Sequence, residues 1–178
     1  MNIDQLKHVL RAAAGITGQD IFVVVGSQAV LLQYPRLPDV MVMSAEIDMF
    51  PLNQPELADL IDGTIGSDSV FHETFGYHAD GVGPTTARLP QSWRERAIVL
   101  PASAATGGAS AVAPDIHDLA VAKLLAGRPK DLDWIAAGLA AGLMTRNGVA
   151  GLLPQADATQ AEVDLALARL QRLGGASP

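Results

Sequence analysis

The chain has 178 residues, no cysteine, a formal net charge of −7 and 49% hydrophobic residues. That length and apolar content suit one domain, or one domain with a small appended helical unit. The lack of cysteine excludes disulfides, zinc–thiolate sites and thiol catalysis. The acidic balance counts against an extended nucleic-acid groove, leaves room for a small basic patch and favours a basic protein partner. No apolar run approaches the length of about eighteen residues that a membrane span needs. Met1 to Gln5 lacks the basic-then-apolar order of a signal peptide, so the expected setting is cytoplasmic and away from membranes.

In chain order, Ile3, Leu6, Val9 and Leu10 recur at helical spacing and predict a helix over 3–14, ended by Gly15 and Gly18. Ile21–Val25 is a continuous β-branched and aromatic run, the mark of a buried strand. Ser27–Gln33 reads as a helix, broken by Pro35 and Pro38. Val40–Met43 and Ile47–Phe50 are strand-like, and Leu57, Leu60 and Ile61 mark a helix ending near Gly63 or Gly66. Between 68 and 110, Tyr77–Val82 and Ala97–Leu100 read as antiparallel strands joined by loops. Thr106–Ser110 reads as a flexible turn. A phosphate nest is the alternative there, disfavoured because the Lys-Ser/Thr ending of a P-loop is missing. From Asp115 onward everything reads as helical. Asp115 caps a helix through Leu125, Gly127-Arg128-Pro129 breaks it, Asp131 caps the next through Leu143, and a Thr159–Glu162 capping box opens a last helix ending at Gly174. The fold expected is α/β (α+β): a mixed sheet flanked by helices over 1–112, with a helical lobe over 113–178 packed on it.

Two pieces carry chemistry together. Val25 runs into a Gly26-Ser27 turn, where glycine lets a phosphate approach the backbone and the amides, helix dipole and serine hydroxyl favour it. Glu46 and Asp48, two apart on a strand, point the same way. Adjacent carboxylates repel, and a divalent cation relieves the repulsion. A turn for phosphate beside a carboxylate pair for metal is a layout for phosphoryl or nucleotidyl transfer. Each piece alone has an ordinary reading: a strand–helix turn capped by Ser27, and a solvated strand face. Lys123 is a cation in an apolar helical stretch, followed by Arg128 and Lys130. It is either a lysine neutralising a triphosphate or leaving pyrophosphate, or a surface lysine near a helix C-terminus. Asp80, on the same strand face as His78, is a candidate general base or third metal ligand, or else a strand-end residue before Gly81. His72 and His78 receive no role, and Trp93 and Trp134 read as packing residues.

With those residues in hand, the chain resembles the nucleotidyltransferase superfamily of DNA polymerase β. The superfamily pattern is an apolar strand, Gly-Ser or Gly-Gly, then a paired-acid strand, here Val25-Gly26-Ser27 and Glu46-Ile47-Asp48. Within it, the chain is most similar to a bacterial nucleotidyltransferase-like family related to the AbiEii and MenT toxins. Asp118–Lys123, Arg128–Asp133, Phe71–His78 and Leu89–Trp93 match the shape of that narrower family. The resemblance implies that Glu46 and Asp48 hold one or two Mg2+ ions and that Gly26, Ser27, Lys123 and Arg128 bind an NTP such as ATP. It makes Asp48, Lys123 and Asp80 catalytic. It implies NMP transfer to an RNA end, with tRNA leading, or to a protein hydroxyl, in a toxin–antitoxin setting with an antitoxin as partner. Two departures stand out. Glu46 replaces the usual first aspartate, and the gap before the acids is lengthened by the Pro35–Asp39 loop. A non-catalytic nucleotide- or protein-binding module, or an aminoglycoside-type small-molecule nucleotidyltransferase, are the alternatives on the same fold.

Overall fold

The computed structural model describes residues 1–173, and the expected helix end at Gly174 lies outside them. The chain opens with α1 (Ile3–Thr17), whose Asn2 and Gln5 form a capping box and whose helix runs through Gly15 to stop at Gly18, φ 66°. β1 (Ile21–Val25) follows, then a 3-10 segment over Ser27–Leu32. Val40–Met43, expected as strand, is instead helical through Val42 in α2 (Asp39–Val42), which Pro38 and the acidic Asp39 open and Met43 ends. β2 (Glu46–Pro51), α3 (Ala58–Ile65), α4 (Val70–Phe75) and β3 (His78–Gly81) come next. α4 lies where only loops and strands were expected. Ser69 accepts from the His72 amide at its start and Gly76, φ 74°, ends it.

The sheet closes with β4 (Ile98–Leu100) and β5 (Ser110–Ala113), and its order is β3-β2-β1-β5-β4. β1 is antiparallel to β2 and parallel to β5. β3 is parallel to β2, not antiparallel as its surroundings suggested, because α3 and α4 form the crossover between them. The rest is helical: α5 (Ile116–Ala126), α6 (Pro129–Ala140), α7 (Arg146–Leu152) and α8 (Gln160–Arg172). Asp115 caps α5 as expected. Arg128, not Asp131, occupies the cap position of α6, which ends at Ala140, short of Leu143. The fold is α/β, a five-stranded mixed sheet with helices packed on it.

Strand alternation divides the sheet into two unlike faces. Phe22, Val24, Ile47, Met49, Ala79, Ala111 and Ala113 join α1, α3 and the apolar sides of α5 to α8 in a continuous core. The opposite face carries Val23, Val25 and Phe50, and with them Glu46, Asp48, His78 and Asp80 at like positions of β2 and β3. Residues 82–97 cover its apolar end through Val82, Ala87, Leu89 and Trp93. Arg96 ties that segment to buried Asp118 on α5, and Arg88 ties it to Glu162 on α8. The polar end stays open.

Candidate active site

The open end of that face is a cleft of about 270 Å³ between the β1–β2 ends and the α5–α6 corner. β1 delivers Gly26 with φ 70° and ψ −161°. A Cβ placed there would lie 1.9 Å from Asp48 Oδ2, so only glycine lets that carboxylate rest against the turn. Ser27 is the next residue, and with consecutive Cα atoms 3.8 Å apart its hydroxyl is closer than about 10 Å to the carboxylate, within reach of one triphosphate. The segment that Ser27 opens is a short 3-10 helix, not the α-helix expected, so the dipole contribution at this turn is small. Ser27 does not cap it either. Its hydroxyl accepts a hydrogen bond from Lys123 Nζ at 2.8 Å.

Glu46 and Asp48 stand together on β2, with His78 and Asp80 opposite them on β3. Burial pushes the Asp48 carboxyl from an ordinary 3.8 up to about 6; the charges of Glu46 and Asp80 add to this, and Lys123 and Lys130 oppose it. Asp80 is raised as well, by burial first, with His78 opposing and Glu46 and Asp62 reinforcing. Lys130 Nζ approaches Glu46 at 3.6 Å.

Lys123 is 6% exposed. Its ammonium donates to Asp131 Oδ1 at 3.1 Å as well as to Ser27, and sits 4.9 Å from the Trp134 ring. Burial lowers its pKa, and Asp131 works against that shift. Asp131 is fully buried and also accepts from Arg128 Nε at 2.6 Å. Burial alone would raise its carboxyl, but the Arg128 hydrogen bond and the Lys123 charge hold it below the usual range. Lys123 therefore faces the turn and is not a surface lysine. The cleft gathers Gly26, Ser27, Glu46, Asp48, Lys123 and Arg128, and Asp80 adjoins it beside Asp48. Of Thr106–Ser110, the residues before Ser110 form a loop whose buried Thr106 hydroxyl donates to the Ser103 and Ala109 carbonyls, and Ser110 opens β5. It does not line the cleft.

Sequence reasoning missed Asp131 as the partner of Lys123, Lys130 as the partner of Glu46, and Thr86 and Ala87 as cleft lining. The first was signalled: a lysine inside an apolar helix needs a counter-ion, and Asp131 is the first acid after it. Thr86 and Ala87 carried no signal of their own.

No helix among the described residues is long and apolar enough to cross a membrane. Neither a curated protein nor a solved structure matches the chain. The family described as "Nucleotidyltransferase of unknown function (DUF6036)" matches residues 4–168, nearly the whole length of the chain. The chain belongs to this nucleotidyltransferase family.

Proposed function

We propose that the protein is a metal-dependent nucleotidyltransferase that moves an NMP from an NTP to an acceptor hydroxyl. The observation that carries this is the 2.8 Å reach of Lys123 Nζ from α5 to Ser27 Oγ, in the same cleft as Glu46 and Asp48. The donor set fits a hard divalent cation such as Mg2+. Three carboxylates crowd one sheet face, and the carboxyl of Asp48 is pushed to about 6 by burial and its acidic neighbours, a strain that a cation relieves. Glu46 and Asp48 would hold one or two such ions, which supply charge neutralisation at the phosphates.

The chain's own groups do the rest. Ser27 and the adjoining backbone receive the terminal phosphates, and Arg128 flanks them. The acceptor oxygen attacks the α-phosphorus as the bond from that phosphorus to the bridging oxygen of the β-phosphate breaks. Lys123 and Arg128 meet the charge that grows on the departing pyrophosphate. Two uses are open to Asp80: taking the acceptor's proton, or adding a carboxylate to the ion's shell. The resemblance to the AbiEii and MenT toxins supports an RNA end, tRNA first, or a protein hydroxyl as acceptor, and an antitoxin as partner.

The test is incubation with labelled NTPs, Mg2+ and total RNA, reading label transfer and pyrophosphate release. Asp48→Asn, which removes a charge at nearly constant volume, is expected to abolish both. Metal-dependent NTP binding with no pyrophosphate release by the wild type would identify a binding module instead. Acceleration by small hydroxylated acceptors rather than RNA would identify a small-molecule enzyme.

A further inference from the structure

His78 is a buried side chain without employment in this scheme. It is 8% exposed, yet it stands on the polar face of the sheet, opposite Glu46. Its Nε2 lies 3.2 Å from Asp80 Oδ1. Its Nδ1 is buried with no hydrogen-bond partner among the described residues. Nε2, not the unpaired Nδ1, is the ring nitrogen that stands beside the Asp80 carboxylate. The ring packs against His72, centroid to centroid 4.5 Å, which limits its freedom to turn from the carboxylates.

Ligand atoms of Glu46, His78 and Asp80 all lie within 4.8 Å of one another. Donors bound at about 2.1 Å around a six-coordinate ion stand about 3 Å apart when adjacent. The 3.2 Å between Nε2 and Oδ1 is that spacing already. Among the described residues Glu46 is restrained only by its 3.6 Å approach to a largely exposed Lys130, so its carboxylate is free to close the third corner.

We propose that Glu46, His78 and Asp80 form a mixed nitrogen–oxygen site for a first-row divalent transition metal, with His78 Nε2 bonded directly to the ion. Mg2+ seeks oxygen donors and accepts imidazole poorly, whereas the ions from Mn2+ to Zn2+ take imidazole readily. Two carboxylates and one imidazole leave coordination positions for substrate oxygens. The glutamate at position 46 then has a use for its extra methylene, because one carboxylate can serve both Asp48 on its own strand and His78 on the next. Asp80 takes the second of its two uses, and the acceptor's proton then passes to solvent. The inference rests on the reading of Glu46 and Asp48 as metal-holding, and replaces an all-oxygen site by one with a nitrogen donor.

The test loads the intact chain with Mn2+, without nucleotide because bases carry nitrogen too. Pulsed EPR reads nitrogen coupling to the ion, and calorimetry compares Mn2+ with Mg2+. The expected result is coupling to an imidazole nitrogen that disappears in His78→Gln and persists in His72→Gln. Mn2+ should bind at least about tenfold more tightly than Mg2+, the lower end of what loss of a supporting group costs a metal site, and His78→Gln should erase that margin. His78→Asn serves as the second variant if Gln fails to fold. Mn2+ bound without nitrogen coupling, or coupling that survives loss of His78, overturns this site while leaving the Glu46–Asp48 reading in place. Failure of both ions to bind removes both.

Discussion

At Gly26 two constraints coincide, a φ of 70° and an Asp48 carboxylate oxygen 1.9 Å from where a Cβ would sit. Gly18 has a similar φ, 66°, but open space around it. Gly18→Ala should therefore show only the left-handed backbone cost, about 1–2 kcal/mol. Gly26→Ala should exceed it, because Asp48 must also move, and should lose metal-dependent activity that Gly18→Ala retains. Urea unfolding of the two variants beside an NTP turnover assay checks both parts. Asp48 itself carries a cost in the metal-free protein. Its carboxyl titrates near 6 when folded against 3.8 ordinarily, so ionisation opposes folding. That penalty is absent below about pH 3.8, grows as pH rises, and is complete above about 6. Asp48→Asn should accordingly melt higher than wild type at pH 8 in chelator, with the gain gone by pH 4.

Elements differ in how openly they announce themselves. Ile21–Val25 was legible because five consecutive β-branched and aromatic residues suit a strand buried on both faces. Val40–Met43 was misread because a short apolar run fits either period, and the helix-start signals of Pro38 and Asp39 outweighed it in the fold. Ser69 and Gly76 bracket α4 with a proper start and stop, but the surrounding glycine and threonine are the residues of loops. Ser110–Ala113 had almost no signal, since Ser-Ala-Val-Ala offers little apolar bulk; it is a strand because β1 needs a second neighbour. The capping box of α8 was plain in the sequence, and the structure adds what it holds. Arg88 hydrogen-bonds Glu162, and Thr159 donates to it from backbone and side chain, so the carboxyl falls from 4.5 to about 2. A depressed carboxyl stabilises the fold fully above about pH 4.5 and loses its contribution as pH falls through about 2. An NMR titration should place Glu162 near 2, with Arg88→Met raising it more than Thr159→Ala does.

For the molecule as a whole, the site was legible at its ends and not in its connections. The Gly26-Ser27 turn, the acid pair and the lysine could each be found because their residue types are unusual for their surroundings. How they connect depends on the tertiary fold: Lys123 joins the strand-end turn to a carboxylate on the following helix. That junction revises what the lysine does for stability. Without Lys123, fully buried Asp131 keeps only Arg128, so Lys123→Ala should lose about 1–3 kcal/mol of stability. Turnover should fall about a hundred- to a thousandfold. Pairing it with Asp131→Asn should recover part of the stability and none of the turnover, since the amide removes a buried charge that has lost one of its two cations but supplies no cation. A double variant that regains activity would make Lys123 a purely structural residue.

The position of β1 in the middle of the sheet also sets the order in which the chain can become itself. Ile21 pairs with Ser110, so a chain leaving the ribosome at about 5–20 residues per second holds one side of its central strand open until Ser110–Ala113 emerge. Lys123, Arg128 and Asp131 come later still. The half-made molecule therefore presents an unpaired strand edge, a hazard for sticking to other chains, together with an acid pair and no lysine or arginine to face it. A nascent chain is thus adhesive before its cleft is complete, since α5 and the start of α6 bring the last of the cleft's charged side chains.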